Sequence, residues 1–250
     1  MKRSAGQEFM ERTKYQNMEG PTDQSRGLPK PPLEKAPEPG EVLVDLPEPS
    51  SLKVDPVDLS TAINERRSVR SYSADPLTLD ELSYLLWCTQ GVREVHGQNV
   101  TLRTVPSAGA RHPFETYLLV NRVEGLEPGL YRFVATSHKL AVVKLGEGAG
   151  KRVAAACFNQ YVAQSAVTFI WTADAYRTVW RYQDRSYRYI HLDAGHVCQN
   201  LYLAVQAVKA GCCAIGAFDD DRLNATLGLD GEKELAIYAA TVGKLEADGR

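Results

Sequence analysis

No stretch of this sequence stays apolar for the roughly 18 residues that a membrane-spanning helix needs. Ser4 to Gln24, behind the basic Met1-Lys2-Arg3 start, holds no apolar run, so no signal peptide is expected. Neither sign of charge is in excess: the formal net charge is −2, which gives no electrostatic case for nucleic acid or an anionic membrane surface. The cysteines (Cys88, Cys157, Cys198, Cys212 and Cys213) are odd in number and lack C-x-x-C spacing, which argues against a disulfide framework and a structural zinc site. No G-x-x-x-x-G-K-[ST] or G-x-G-x-x-G is present, and no His, Cys or carboxylate set has metal-ligand spacing, so no metal is expected. A reducing, cytoplasmic setting is the expected location. What remains is a chain of 250 residues, 44% hydrophobic, enough for one large domain or two small ones.

Eight of the 13 prolines fall within residues 1–50. Such a segment is expected to form neither helix nor central strand, and reads as an extended arm that lies on the surface or crosses to a partner subunit. Leu43-Val44-Asp45-Leu46 is a candidate anchor within it. The folded domain is expected over residues 51–250. Val57 to Glu65 reads as helix, and Thr78-Leu79-Asp80-Glu81 is a capping box opening a second helix that stops at Gly91. Strands are expected at Thr116 to Asn121, Gly129 to Ala135, Lys139 to Lys144, Ala166 to Thr172, Cys212 to Phe218 and Leu235 to Val242. Further helices are expected at Gly150 to Asn159, at Ile190 to Ala210 (apolar on most sides, hence central, and ended by Gly211) and after the Asp219-Asp220-Asp221 cap. This loose alternation predicts an α+β or α/β fold around one mixed sheet.

The densest chemistry lies in Glu65-Arg66-Arg67-Ser68-Val69-Arg70-Ser71-Tyr72, where three guanidinium groups flank one hydroxyl. Alternate residues of an extended segment share a side, so Arg66, Ser68 and Arg70 can aim at one anionic group. Guanidinium forks match phosphate oxygens, and the serine adds a further donor. The competing reading is a solvated basic cluster at a helix end. A loop of small residues, Pro106-Ser107-Ala108-Gly109-Ala110-Arg111-His112-Pro113, and an Arg- and Tyr-rich run from Tyr176 to Tyr189 are the other conspicuous stretches.

Taken in order, these stretches resemble the nitroreductase family of flavin enzymes, most closely its branch of SagB/ThcOx-type dehydrogenases, named for azoline-forming peptide biosynthesis. The residues that carry the likeness are Arg66 to Arg70, Pro106 to Pro113, Arg185-Ser186-Tyr187-Arg188-Tyr189, Asp193-Ala194-Gly195-His196, Gln199-Asn200-Leu201 and Gly216-Ala217-Phe218-Asp219-Asp220. In the arm, Thr13-Lys14-Tyr15 adds to it. The resemblance implies a central mixed, mainly antiparallel sheet flanked by helices, and a homodimer that binds FMN at the subunit interface. It assigns Arg66, Arg67 and Ser68 to the phosphate and ribityl chain, and Arg70 to the flavin pyrimidine edge, where a cation favours the reduced ring. It assigns Pro106, Ser107, Ala108 and Gly109 to a loop that reaches the flavin from the other subunit. Ala214, Ile215, Gly216 and Ala217 would lie along the ring, and Lys244 would be a basic phosphate ligand, a solvated terminal lysine being its alternative.

The same resemblance makes Tyr182 the candidate catalytic residue, as the tyrosine of a Lys-Tyr pair tied to proton removal in azoline oxidation. Here the pair reads Arg181-Tyr182, and arginine cannot serve as the base. The implied activity is therefore ping-pong hydride transfer with NAD(P)H or a small molecule as donor. Azoline-to-azole oxidation of a peptide and non-catalytic flavin binding are the alternatives. His112 has a claim to approach substrate through its loop. His196, Gln199 and Asn200 would form a polar patch on the central helix, bonded to backbone or facing the flavin.

Overall fold

A computed structural model of the chain describes residues 2–52, 54–97 and 100–246. The first element, α1 (Ala5–Arg12), lies within the arm and overturns the expectation that no helix forms there. The Ser4 hydroxyl accepts from the Gln7 N–H while the Gln7 side chain accepts from the Ser4 N–H, a reciprocal cap that starts the helix. The prolines begin only at Pro21 and leave this part of the arm free to coil. From there the arm is largely extended up to β1 (Leu43–Asp45).

The rest of the chain runs in order through α2 (Leu59–Glu65), α3 (Leu79–Gln90), β2 (Val92–His96), β3 (Val100–Arg103), β4 (Phe114–Val120), β5 (Gly129–Val134) and β6 (Lys139–Leu145). Then come α4 (Gly148–Ala156), β7 (Val167–Asp174), α5 (Tyr176–Tyr182), α6 (Ser186–Ala207), β8 (Ala210–Ile215), α7 (Asp220–Leu227) and β9 (Glu234–Lys244). The Thr78–Glu81 capping box opens α3 as the sequence predicts. The β2–β3 ribbon was not expected.

Seven strands form one sheet in the order β1-β6-β5-β4-β7-β9-β8, and every pairing of neighbours is antiparallel. The parallel component is confined to isolated bridges, Ser68 with Cys212 and Leu77 with Val123. The fold is α+β, a mainly antiparallel sheet with helices on both faces. Successive side chains of a strand point to opposite faces. Phe169 and Trp171 of β7 therefore enter the larger core with Leu82, Leu85, Leu201 and Val205, under α3 and α6. Ile170, between them, enters the smaller core with Val153 and Leu223, under α4 and α7. This is why β4 is buried along its whole length and β7 along all but its last residue.

The long helix α6 spans 22 residues and begins four residues earlier than its apolar period implies. It also ends earlier: Lys209 takes a left-handed φ of 51° and the chain turns directly into β8. Gly211 is thus no helix terminator but a strand residue. A Cβ there would stand 2.6 Å from the Cβ of Val69, so glycine permits the arginine stretch to approach the sheet.

Candidate functional site

The arginine stretch is fastened to the outer edge of the sheet by its backbone. Val69 N–H donates to the Cys212 carbonyl at 2.9 Å, and Ser73 N–H to the Lys244 carbonyl at 2.9 Å. The buried Tyr72 hydroxyl lies 2.8 Å from both the Val69 carbonyl and Thr241 Oγ1. With the main chain fixed, the side chains on one side converge. The Arg66 guanidinium lies over the Tyr202 ring at 5.2 Å, and the Ser68 hydroxyl sits 2.9 Å from the Tyr202 hydroxyl. Arg70 is exposed and reaches back to the Ser68 carbonyl at 3.4 Å. Arg67 is exposed as well.

Tyr202 also receives the Ala214 N–H at 2.9 Å, so one hydroxyl joins the arginine stretch to the end of β8. Ile215 is buried in the smaller core, whereas Gly216 and Ala217 leave the strand and are exposed. The Ala217 carbonyl is held by Gln160 Nε2 at 2.7 Å. Lys244 faces the other way, with its ammonium against the Glu81 carboxylate and 2.8 Å from the Val208 carbonyl. Tyr202 was not foreseen, although a tyrosine on a buried helix face needs a partner for its hydroxyl, and that was a readable signal.

The small-residue loop is organised by Asp193 of α6, a residue of the Asp193–His196 likeness for which the sequence offered no such contact. Ser107 donates its hydroxyl to Asp193 Oδ2 at 2.5 Å, and the Ala108 N–H lies 3.3 Å from Oδ1. The Ser107 oxygen in turn accepts the His112 N–H at 2.9 Å. Burial pushes the Asp193 carboxyl up, against the lowering effect of these two donors. Pro106 is exposed, and Gly109 takes a φ of 59°. A Cβ at 109 would collide with the Tyr182 hydroxyl and come within 3.1 Å of Arg181 Nη1, so the loop, Arg181 and Tyr182 are packed together.

Nine residues separate Asp193 from Tyr202, about 13 Å along a helix and half a turn apart around it. The two groups of residues expected to hold one cofactor therefore lie on opposite sides of α6 and do not meet within a chain.

His112 corrects an expectation. It is 4% exposed, and burial, with Arg103 and Arg111 nearby, depresses its pKa to about 3. It is a neutral core residue and does not approach substrate. His196 is exposed, 4.0 Å from Asp193, and Gln199 is exposed too. Asn200 donates to the Cys88 carbonyl at 2.9 Å. The expected polar patch is thus divided between surface and backbone. Tyr182 is half-buried, edge-on to Tyr189 at 5.0 Å, with the Arg181 guanidinium 5.4 Å from its ring.

The arm lies on its own chain throughout the described residues. Arg185 and Arg188 hold Thr13, and Trp180 Nε1 donates to the Leu28 carbonyl at 3.1 Å. Arg132 donates to the Lys35 carbonyl at 2.7 Å, and β1 adds an edge to the sheet at β6.

The donors of the Arg66–Ser68–Arg70 side suit a phosphate ester. Two guanidiniums and a hydroxyl share one side, and among the described residues no ion pair engages Arg66 or Arg70. The exposed Gly216 and Ala217, without bulk, suit a flat ring beside them. Among the described residues no group of three His, Cys, Asp or Glu could hold a metal ion, and no helix is long and apolar enough to cross a membrane.

Comparison with known proteins follows the same outline. The Nitroreductase family profile matches residues 63–244. MJ1384 of Methanocaldococcus jannaschii, named as a candidate nitroreductase, is 36% identical over 192 residues, which is 76% of this chain and 93% of that one. The trifolitoxin-processing protein TfxB of Rhizobium leguminosarum bv. trifolii is 30% identical over 149 residues, 58% of this chain but only 40% of TfxB. Among solved structures, a candidate nitroreductase of Anabaena variabilis superposes with a TM-score of 0.68 at 28% identity, covering 83% of this chain and 42% of that one. A candidate nitroreductase of Desulfovibrio desulfuricans in complex with FMN shares the fold at 16% identity, with a TM-score of 0.55 over 78% of this chain and 91% of that one.

Proposed function

Because this chain belongs to the nitroreductase family of flavin oxidoreductases, we propose that it binds FMN and works as an FMN-dependent oxidoreductase on small molecules. When bound, the flavin supplies hydride exchange at N5 in a ping-pong cycle, with NAD(P)H or a small-molecule substrate as donor. Arg66 and Ser68 hold the phosphate end, with Arg67 beside them, and Arg70 supplies a fixed cation for the pyrimidine edge. Ala214 to Ala217 offer backbone and small side chains to the ring, whereas Lys244, engaged by Glu81 and the Val208 carbonyl, is left out of the phosphate contacts. The observation that carries this reading is the convergence of Arg66, Ser68 and the Ala214 N–H on Tyr202.

The loop Pro106–Gly109 lies on the far side of α6, so in this reading it completes the site of a second copy. Exposed Leu59, Ile63 and Leu192 (63%, 54% and 60% exposed) supply apolar surface for such a homodimer. Tyr182, packed beside that loop, would in this reading give or hold a proton at the substrate. The likeness to TfxB favours one second reading, dehydrogenation of a peptide azoline. Arg181 weighs against it, since a permanently protonated guanidinium cannot take the proton which that chemistry removes.

The decisive experiment is the visible spectrum of the purified protein before and after anaerobic NADPH, with Arg66→Ala as the paired variant. A yellow protein that bleaches, and an Arg66→Ala protein that loses most of its FMN, is the expected outcome. A protein that takes up no FMN would sink the proposal, and one that stays yellow with NADPH would move the donor to a dedicated substrate.

A further inference from the structure

The second cationic cluster of the molecule is not used by the flavin reading. The guanidinium of Arg181 is exposed at the tip of α5, stacked near the Tyr182 ring and packed against Gly109, and no ion pair engages it among the described residues. Beneath it, Arg111 is buried with its guanidinium 5.0 Å from the Trp180 ring and its Nε donating to the Arg177 carbonyl at 2.5 Å. The arm brings a third cation, because Trp180 Nε1 holds the Leu28 carbonyl and Lys30 follows two residues on. Trp180 thus brings this part of the arm beside Arg111 and Arg181, and burial with their charges pushes the Lys30 ammonium below its ordinary value. The carboxylate facing Arg111 is Asp174, and it is shared with Arg177 at 3.3 Å. Arg181 thus presents its charge beside the loop that the proposed function sets at the active site.

We propose that Arg181, Lys30 and the underlying Arg111 form a receptor for an anionic group, carboxylate or phosphate, on the small molecule that this enzyme turns over. The assignment of that molecule as substrate or co-substrate rests on the proposed function, whereas the anion site itself does not. Arg181 makes the contact with its planar fork, while Lys30 on the arm and Arg111 from within raise the local potential. The same charges explain an arginine where a proton-accepting lysine would otherwise stand: this position binds an anion and moves no proton. The arm, by carrying Lys30, is then part of substrate recognition.

Titration calorimetry on the FMN-loaded protein tests this with two matched pairs of probes. NADP+ and NAD+ differ by one phosphate, and 4-nitrobenzoate and 4-nitrobenzamide differ by a carboxylate charge. Arg181→Gln is expected to weaken the anionic member of at least one pair by about tenfold, with the other member unchanged. Arg181→Lys should recover most of that affinity, and Lys30→Gln should give a smaller loss of the same sign. A loss confined to NADP+ assigns the site to a dinucleotide phosphate, and one confined to 4-nitrobenzoate assigns it to a substrate carboxylate. Equal affinity of the parent for both members of each pair, or parent-like anion binding by Arg181→Gln, overturns the proposal. A parent that takes up no FMN overturns the flavin reading instead. The same pairs titrated against the flavin-free protein then decide on the anion site alone.

Discussion

Two arginine-rich regions, one under the arm and one at the sheet edge, differ in what meets their guanidinium groups. Under the arm, Arg132 and Arg177 are buried against one carboxylate, Glu115, at 3.5 and 2.6 Å, while Arg103 donates to Gln90 at 2.9 Å and Arg111 to a backbone carbonyl. At the sheet edge, Arg66 and Arg70 are held by their backbone and their ring and carbonyl neighbours, and no carboxylate among the described residues pairs with them. A run of guanidiniums does not say by itself whether it is structure or site. The partner decides: an arginine whose charge is met inside the fold builds the fold, and one left at the surface is available to a ligand.

The largest break in this comparison comes from removing the shared carboxylate. Glu115→Ala strips two buried guanidiniums of their shared carboxylate, leaving Arg132 only Glu41 at 3.6 Å and Arg177 only Asp174 at 3.3 Å, and takes away the acceptor of the Lys35 N–H, which lies 2.7 Å from Oε1. A loss of about 3–5 kcal/mol is expected, with faster proteolysis of the arm between Lys30 and Lys35. Glu115→Gln, which keeps an acceptor for the Lys35 N–H, should lose less. Parent-like denaturation and proteolysis of Glu115→Ala would show that the charges under the arm do not hold it.

A smaller effect should appear in the pH dependence of the same side. The folded pKa of His112 is about 3, below its unfolded value of about 6.5. Between those values the unfolded chain binds the proton and the folded chain does not, so stability falls as pH falls through that window. The slope approaches about 1.4 kcal/mol per pH unit below pH 6, which gives about 1.6 kcal/mol between pH 6.5 and 5. His112→Asn, whose side chain tolerates the φ of 44° at this position, should flatten that part of the profile. Denaturant midpoints at both pH values are the check. An unchanged slope would place the acid sensitivity elsewhere, with buried Asp174 and Asp193 excluded as its source, because carboxyls pushed up by burial favour the folded state on acidification.

The two sides also differ in how far they could be read from the sequence. On the sheet-edge side the signals were local: the Thr78 capping box, the alternation that aims Arg66 and Ser68 together, and the apolar period of α6 all survive in the structure. Where reading failed there, a long-range contact was the cause. Gly211 looked like a helix stop because the contact it permits, with Val69, lies far away in the chain. On the arm side almost nothing was legible. The Glu115 network joins residues 17, 62 and 80 positions apart, and such pairings have no periodicity to detect. His112 was misread for the same reason: its loop is full of small, site-like residues, yet the ring is turned into the interior. Asp193 and Tyr202 were visible as polar groups on a buried helix, and the question of what satisfies them was the one to ask.

The smallest expected effect sharpens the sheet-edge side, and it separates a relay from a support. Tyr202→Phe keeps a ring beneath Arg66 but deletes the hydroxyl that joins Ser68 to the Ala214 N–H. Leaving those two half-buried groups without their partner should cost about 1 kcal/mol of stability. If the hydroxyl serves only packing, FMN affinity measured by fluorescence titration stays at the parent value once the folded fraction is accounted for. If it fixes the phosphate-side donor relative to the ring-side backbone, affinity falls several-fold, yet less than in Arg66→Ala, which removes a charge. Adding Ser68→Ala should then cost little more, because both changes cut the same connection and coupled residues are not additive. Full additivity of the two losses would mean that Ser68 and Tyr202 act separately, and that the convergence on Tyr202 is not what organises the site.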